Sequence, residues 1–193
     1  MEEIEAKFLG IATKDIEAKL AALGAQFLGE KTLYAISFDF PGYPLNAQSS
    51  WVRLRTDGAK TMLAYKQRLG VKEDGGNDDG MKEIETSVGD FETTRQFLLA
   101  IGMVEKFAME KRRRSWKKDL VAYDIDQYPK LDAYLEIETD SWNRLASAAQ
   151  ELGLDPAAKK ICSTQQIYKE AGINEDDFVK MTFSEWIPRG LSA

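Results

Sequence analysis

The chain has 193 residues, a net charge of −6, 44% hydrophobic and 30% charged residues, one cysteine and no histidine. These numbers fit one large domain or two small ones with ample core material, and they argue against a general nucleic-acid or anionic-membrane surface. An internal disulfide is impossible, and Ser-His-Asp, Cys-His and HExxH zinc chemistry all lack their histidine.

In chain order, residues 2–9 alternate charged and apolar side chains, which predicts a strand. Thr13 reads as a helix N-cap, with Ile16, Leu20 and Leu23 at helical spacing and Gly24 as the stop. Residues 26–29 and 32–40 are rich in aromatic and β-branched types and read as two strands, broken at Pro41-Gly42-Tyr43-Pro44. Residues 50–56 and 61–68 form a hairpin about Asp57-Gly58. A polar, glycine-rich loop fills 70–80, and a strand follows at 81–88. Asp90 caps a second helix carrying Phe91, Phe97, Leu98 and Ile101, closed by Gly102. A short strand at 103–107, a basic strand at 109–119 and a strand at 120–127 come next. The last of these strands covers 133–139. Ser141 caps a third helix that ends at Gly153, and the tail from Ser163 reads as two short helical pieces, then irregular.

One pattern recurs. Glu3-Ile4-Glu5, Glu83-Ile84-Glu85 and Glu136-Ile137-Glu138 each place two carboxylates on one strand face, and each is followed by a capped amphipathic helix. The helices need an apolar partner surface. This assigns Ile4, Val52, Leu54, Ile84 and Ile137 to the helix side and the charges to the other side. With about eight strands the sheet can close into a barrel with the charges inside. No linker divides the chain, so 1–193 reads as a single domain, with a barrel core over about 1–140 and a helical segment over about 141–193.

Alternation puts Glu3, Glu5, Glu83, Glu85, Asp124, Asp126, Glu136 and Glu138 on the charged face, together with Lys7, Arg53, Arg55, Lys66, Arg68, Lys111 and Arg113. Taken singly, each motif is as well explained by a solvated sheet face or a cross-strand ion pair, and Trp51 and Trp116 by packing. Taken together, they offer more carboxylate oxygens at one level than ion pairing requires. Oxygen-only donors suit Mg²⁺ or Mn²⁺. Arginines two residues apart offer bidentate donors to phosphate, and lysines add point charges. Phosphoryl transfer by positioning and charge neutralisation needs no histidine.

These motifs, in this order, resemble the CYTH superfamily, the triphosphate tunnel metalloenzymes. Glu3-x-Glu5-x-Lys7 looks like its ExExK signature and Trp51-Val52-Arg53-Leu54-Arg55 like its R-x-R strand. Lys66, Lys82-Glu83-Ile84-Glu85, Lys111-x-Arg113, Asp124 and Leu135-Glu136-Ile137-Glu138 continue the match over roughly residues 1–170. The resemblance implies an α+β fold, a closed antiparallel eight-stranded barrel with helices outside. It implies Glu3, Glu5, Asp124, Glu136 and Glu138 as metal ligands, with Asp126 added on alternation. It implies Lys7, Arg53, Arg55, Lys66 and Arg113 as triphosphate ligands, with Arg68 and Lys111 added on alternation and Lys160 or Lys159 as the C-terminal lysine of some members. Glu83 and Glu85 would support the site, and Lys66, Arg53 and Arg113 would carry catalysis. The expected function is Mg²⁺- or Mn²⁺-dependent hydrolysis of tripolyphosphate, ATP or thiamine triphosphate. The alternatives are a class IV adenylyl cyclase and a silent polyphosphate-binding module. A cytoplasmic protein with no membrane or nucleic-acid partner is expected, its oligomeric state open, a homodimer included.

Overall fold

The computed structural model describes residues 4–69 and 81–190. Glu3 and the glycine-rich stretch at 70–80 lie outside the described residues. The chain divides into two compact units, each built from separate stretches: 1–31 with 112–171, and 32–111 with 172–193.

In the first unit, strand β1 (Ile4–Phe8) leads into helix α1 (Thr13–Ala22) and the opening half of β2 (Gln26–Asp39). The closing half of β6 (Val104–Lys118), β7 (Val121–Gln127), β8 (Tyr134–Thr139) and helices α3 (Trp142–Glu151) and α4 (Thr164–Glu170) complete it. The strands lie in the order β1-β8-β7-β6-β2, and the β1–β8, β8–β7 and β7–β6 ladders are antiparallel. Ala6 and Phe8 of β1 and Leu135 and Ile137 of β8 face one side. There they form a buried core with Ile16 and Leu20 of α1 and Leu145 and Ala149 of α3. The helices stand on the apolar face, as the alternation predicts, because only there is apolar area removed from water.

In the second unit, the closing half of β2, then β3 (Ser50–Thr56), β4 (Thr61–Arg68) and β5 (Met81–Val88) form an antiparallel sheet. Helix α2 (Phe91–Ala100) packs on its apolar face, where Ile36, Phe38 and Leu54 meet Leu98 and Met103. Asp90 caps α2 by accepting from the Thr93 amide at 2.7 Å. The tail, expected to end irregularly, instead forms β9 (Phe178–Met181) and β10 (Trp186–Pro188). They pair antiparallel, and β9 also runs parallel to β6 at Ala108 and Met109.

Several expectations need correction. The closed eight-stranded barrel is not what forms: the strand path is open, ending at β1 and at β5. At Lys7 the outer edge of β1 is taken by the chain's own later segment, through Lys7 N–H to Lys160 O and Lys160 N–H to Lys7 O, both 2.8 Å. The observed class is α+β, with an antiparallel sheet and four α-helices among the described residues. The two strands expected at 26–40 are one, as are the two expected at 103–119. Gly29 at φ 119° lets β2 run through the expected gap. Thr13 is the first helical residue, not the cap. Ile84 faces the helix side but is 61% exposed, and Phe97 is 62% exposed, because α2 directs Leu98 inward. No helix among the described residues is long and apolar enough to cross a membrane.

Candidate functional site

Strand register determines which charges meet in each unit. In the first, Glu5 stands opposite Glu138, Lys7 opposite Glu136, Asp124 opposite Glu136, Arg113 opposite Asp126 and Ser115 opposite Asp124. All lie on the sheet face away from α1 and α3. Arg113 is the hub. Its Nε donates to Asp126 Oδ1 and its Nη2 to Asp126 Oδ2, each at 2.6 Å. Nη2 also reaches Glu136 Oε2 and Nη1 reaches Asp124 Oδ2, both at 2.6 Å. The other Glu136 oxygen, Oε1, lies 2.8 Å from Lys7 Nζ, which also donates to Glu5 Oε1 at 3.0 Å.

These contacts set the proton affinities. Burial alone would lower Lys7, but Glu136 and Glu5 outweigh it and hold the ammonium raised. Burial likewise opposes the Arg113 charge, and Asp126, Glu136 and Asp124 overcome it. Asp124 is raised by burial, against the pull of Arg113 and the hydrogen bond from Ser115. Both cations are therefore permanent charges at any working pH.

In the second unit, Trp51 stands opposite Lys66, Lys66 opposite Glu83, and Ala64 opposite both Arg53 and Glu85. Arg53 reaches Glu83 at 3.0 Å and Glu85 at 3.3 Å, Arg55 reaches Glu85 at 3.3 Å, and Lys66 reaches Glu83 at 2.9 Å. Arg68 lies over the Trp51 ring at 5.9 Å. Small Ala64 lies between Arg53 and Glu85 and leaves room for their side chains to meet.

The predicted charges thus separate by unit. In the first, five carboxylates (Glu5, Asp124, Asp126, Glu136, Glu138) share a face with Lys7 and Arg113. In the second, four cations (Arg53, Arg55, Lys66, Arg68) share a face with Glu83 and Glu85. The acidic face has the oxygen-only donor chemistry of a hard divalent cation. Among the described residues, no group of three acidic side chains is arranged to hold a metal ion; Asp124, Asp126 and Glu136 surround the Arg113 guanidinium instead. Asp126 is fully buried. Lys111 is half-buried on β6. Lys160 brings its backbone to Lys7, but its side chain pairs with Glu170. Lys159 donates to the Pro156 carbonyl at 3.4 Å.

A CYTH domain model matches residues 1–176. The chain belongs to the CYTH family. Solved structures agree on the fold. A Pyrococcus horikoshii protein is 25% identical, with 82% of this chain and 94% of that one covered and a TM-score of 0.65. A candidate adenylate cyclase from Vibrio parahaemolyticus is 15% identical, covering 88% and 98%, with a TM-score of 0.73. A candidate adenylyl cyclase from Hippeastrum, described as having a dominant triphosphatase activity, is 16% identical, covering 90% and 97%, with a TM-score of 0.61. Comparison with curated proteins finds no match. Among the described residues of this CYTH chain, strand register puts Glu5, Lys7, Asp124, Asp126, Glu136 and Glu138 on one face with Arg113. What sequence alternation missed is Ser115, which shares the parity of Arg113 on β6, and Glu175 in the tail, which no periodicity marks.

Proposed function

We propose that this CYTH domain, residues 1–193, is a metal-dependent phosphohydrolase of linear triphosphates. The supporting observation is the separation of charge: a cation-rich sheet face in one unit and a carboxylate-rich face in the other, on the fold of a family with cyclase and triphosphatase neighbours. In the second unit Arg53, Arg55, Lys66, Arg68 and Lys111 would bind phosphate oxygens, and in the first unit Lys7, Arg113 and Lys160 are the candidate phosphate ligands. Glu5, Asp124, Glu136 and Glu138, with Glu3, would hold Mg²⁺ or Mn²⁺. When bound, the cation supplies Lewis-acid neutralisation of phosphate charge.

The chain's own residues then have distinct tasks. Arg53 and Arg55, two residues apart, orient a phosphate chain through paired N–H donors. Lys66 adds a compact charge at the phosphorus where charge develops. Glu83 and Glu85 hold these cations in place until phosphate oxygens replace them. Glu136 spaces Lys7 from Arg113 with one oxygen on each.

Calorimetry with tripolyphosphate tests the reading. Wild-type protein should bind it, and the Arg53→Ala/Arg55→Ala protein should lose most of that affinity. Equal binding by the two proteins would overturn the assignment.

A further inference from the structure

The tail carries one acidic group that the proposed chemistry does not use. Glu175 sits in a 3₁₀ turn (Glu175–Asp177) just before β9. Among the described residues its Oε1 is buried with no hydrogen-bond partner. A buried carboxylate without a partner is costly and persists where a nearby charge compensates it. The charges whose fields act on Glu175 are Arg68 from β4, Lys106 from β6 and, on its own turn, Asp176; Arg189 ties the turn to Lys106, donating to the carbonyls of both Asp176 and Lys106.

The turn is anchored in position. Arg189 donates to the carbonyls of Asp176 at 2.9 Å, Phe178 at 3.0 Å and Lys106 at 3.2 Å. Lys106 also hydrogen-bonds Asn46 Oδ1 and lies 6.0 Å from the Tyr43 ring centre. Arg68 lies over Trp51 and, among the described residues, makes no salt bridge. All these residues belong to the second unit.

We propose that Glu175 is an internal competitor, a carboxylate carried by the C-terminal segment that occupies the field of Arg68 and Lys106 and must be neutralised or displaced before a polyanion binds there. This rests on the reading that Arg68 serves phosphate binding. Burial, reinforced by Asp176, pushes the Glu175 carboxyl up to about 7 against the pull of Arg68 and Lys106. The group therefore changes charge near neutrality. Below that pH it is neutral, and the two cations are available to phosphate. Above it, the carboxylate opposes an incoming polyanion.

The experiment is tripolyphosphate binding by calorimetry from pH 5.5 to 8.5, for wild type, Glu175→Gln and Glu175→Ala. The ligand's own titration is common to all three, so the ratio of affinities isolates Glu175. The expected ratio is near one at pH 5.5. At pH 8.5 both variants should bind roughly fivefold more tightly than wild type, the weight of one charge contact screened as at a protein surface. A ratio that does not change with pH overturns the competitor while leaving the polyphosphate reading intact. No binding by any of the three at any pH overturns both.

Discussion

Arg113 grips Asp126 through two parallel hydrogen bonds, each 2.6 Å long, and Asp126 is fully buried. A buried carboxylate gripped this way is costly to leave without its cation. Arg113→Ala should therefore destabilise the chain by about 3–5 kcal/mol, and Arg113→Lys should restore only part, since an ammonium cannot reproduce the fork. Urea unfolding measures both. If Arg113→Ala unfolds with the wild-type midpoint, the grip is not structural.

Glu5 and Glu138 face each other directly across the β1–β8 ladder. Like charges so placed repel unless a cation or a nearby ammonium screens them. Glu138→Gln should leave the circular dichroism spectrum unchanged and weaken Mn²⁺ binding, read by calorimetry, by roughly tenfold or more. Unchanged Mn²⁺ affinity would remove Glu138 from the metal set.

Lys66 pairs with Glu83 at 2.9 Å, opposite it on β5. Lys66→Ala should lower kcat for triphosphate hydrolysis by about 10²–10³-fold, as loss of one charge stabiliser does, with KM changing much less. A change confined to KM would make Lys66 a binding residue only.

Glu175 also predicts how stability varies with pH. Its folded value near 7 lies above the ordinary 4.5. Between the two, the folded chain keeps a proton that the unfolded chain has released. Its contribution is full below about 4.5 and is lost as pH rises through 7. Glu175→Gln should raise the urea midpoint relative to wild type at pH 8 and change it little at pH 4.5. A constant difference across that range would contradict the burial of this carboxyl.

Much of the candidate site's charged face was legible in the chain because side-chain alternation is a local property. Glu5, Lys7, Asp124, Glu136 and Glu138 share a face for the same reason that Ala6, Phe8 and Ile137 share the other. The caps at Asp90 and Ser141 are equally local, each set by one side chain and one amide. Closure of the sheet was not legible. The edge of β1 at Lys7 is taken by Lys160, more than 150 residues away in sequence, which no local pattern marks. The grip of Arg113 on Asp126 was hidden too, since parity places both on one face but does not choose among the acids there. Phe97 and Leu98 are adjacent apolar residues, and only packing on the sheet decides which is covered.

The most direct measurement is product identification after incubation with tripolyphosphate, ATP and thiamine triphosphate, each with Mg²⁺ or Mn²⁺. The account predicts orthophosphate release from at least one of them, dependent on the metal and sharply reduced in Lys66→Ala. Cyclic AMP with pyrophosphate and no orthophosphate, or no turnover of any triphosphate, would contradict it.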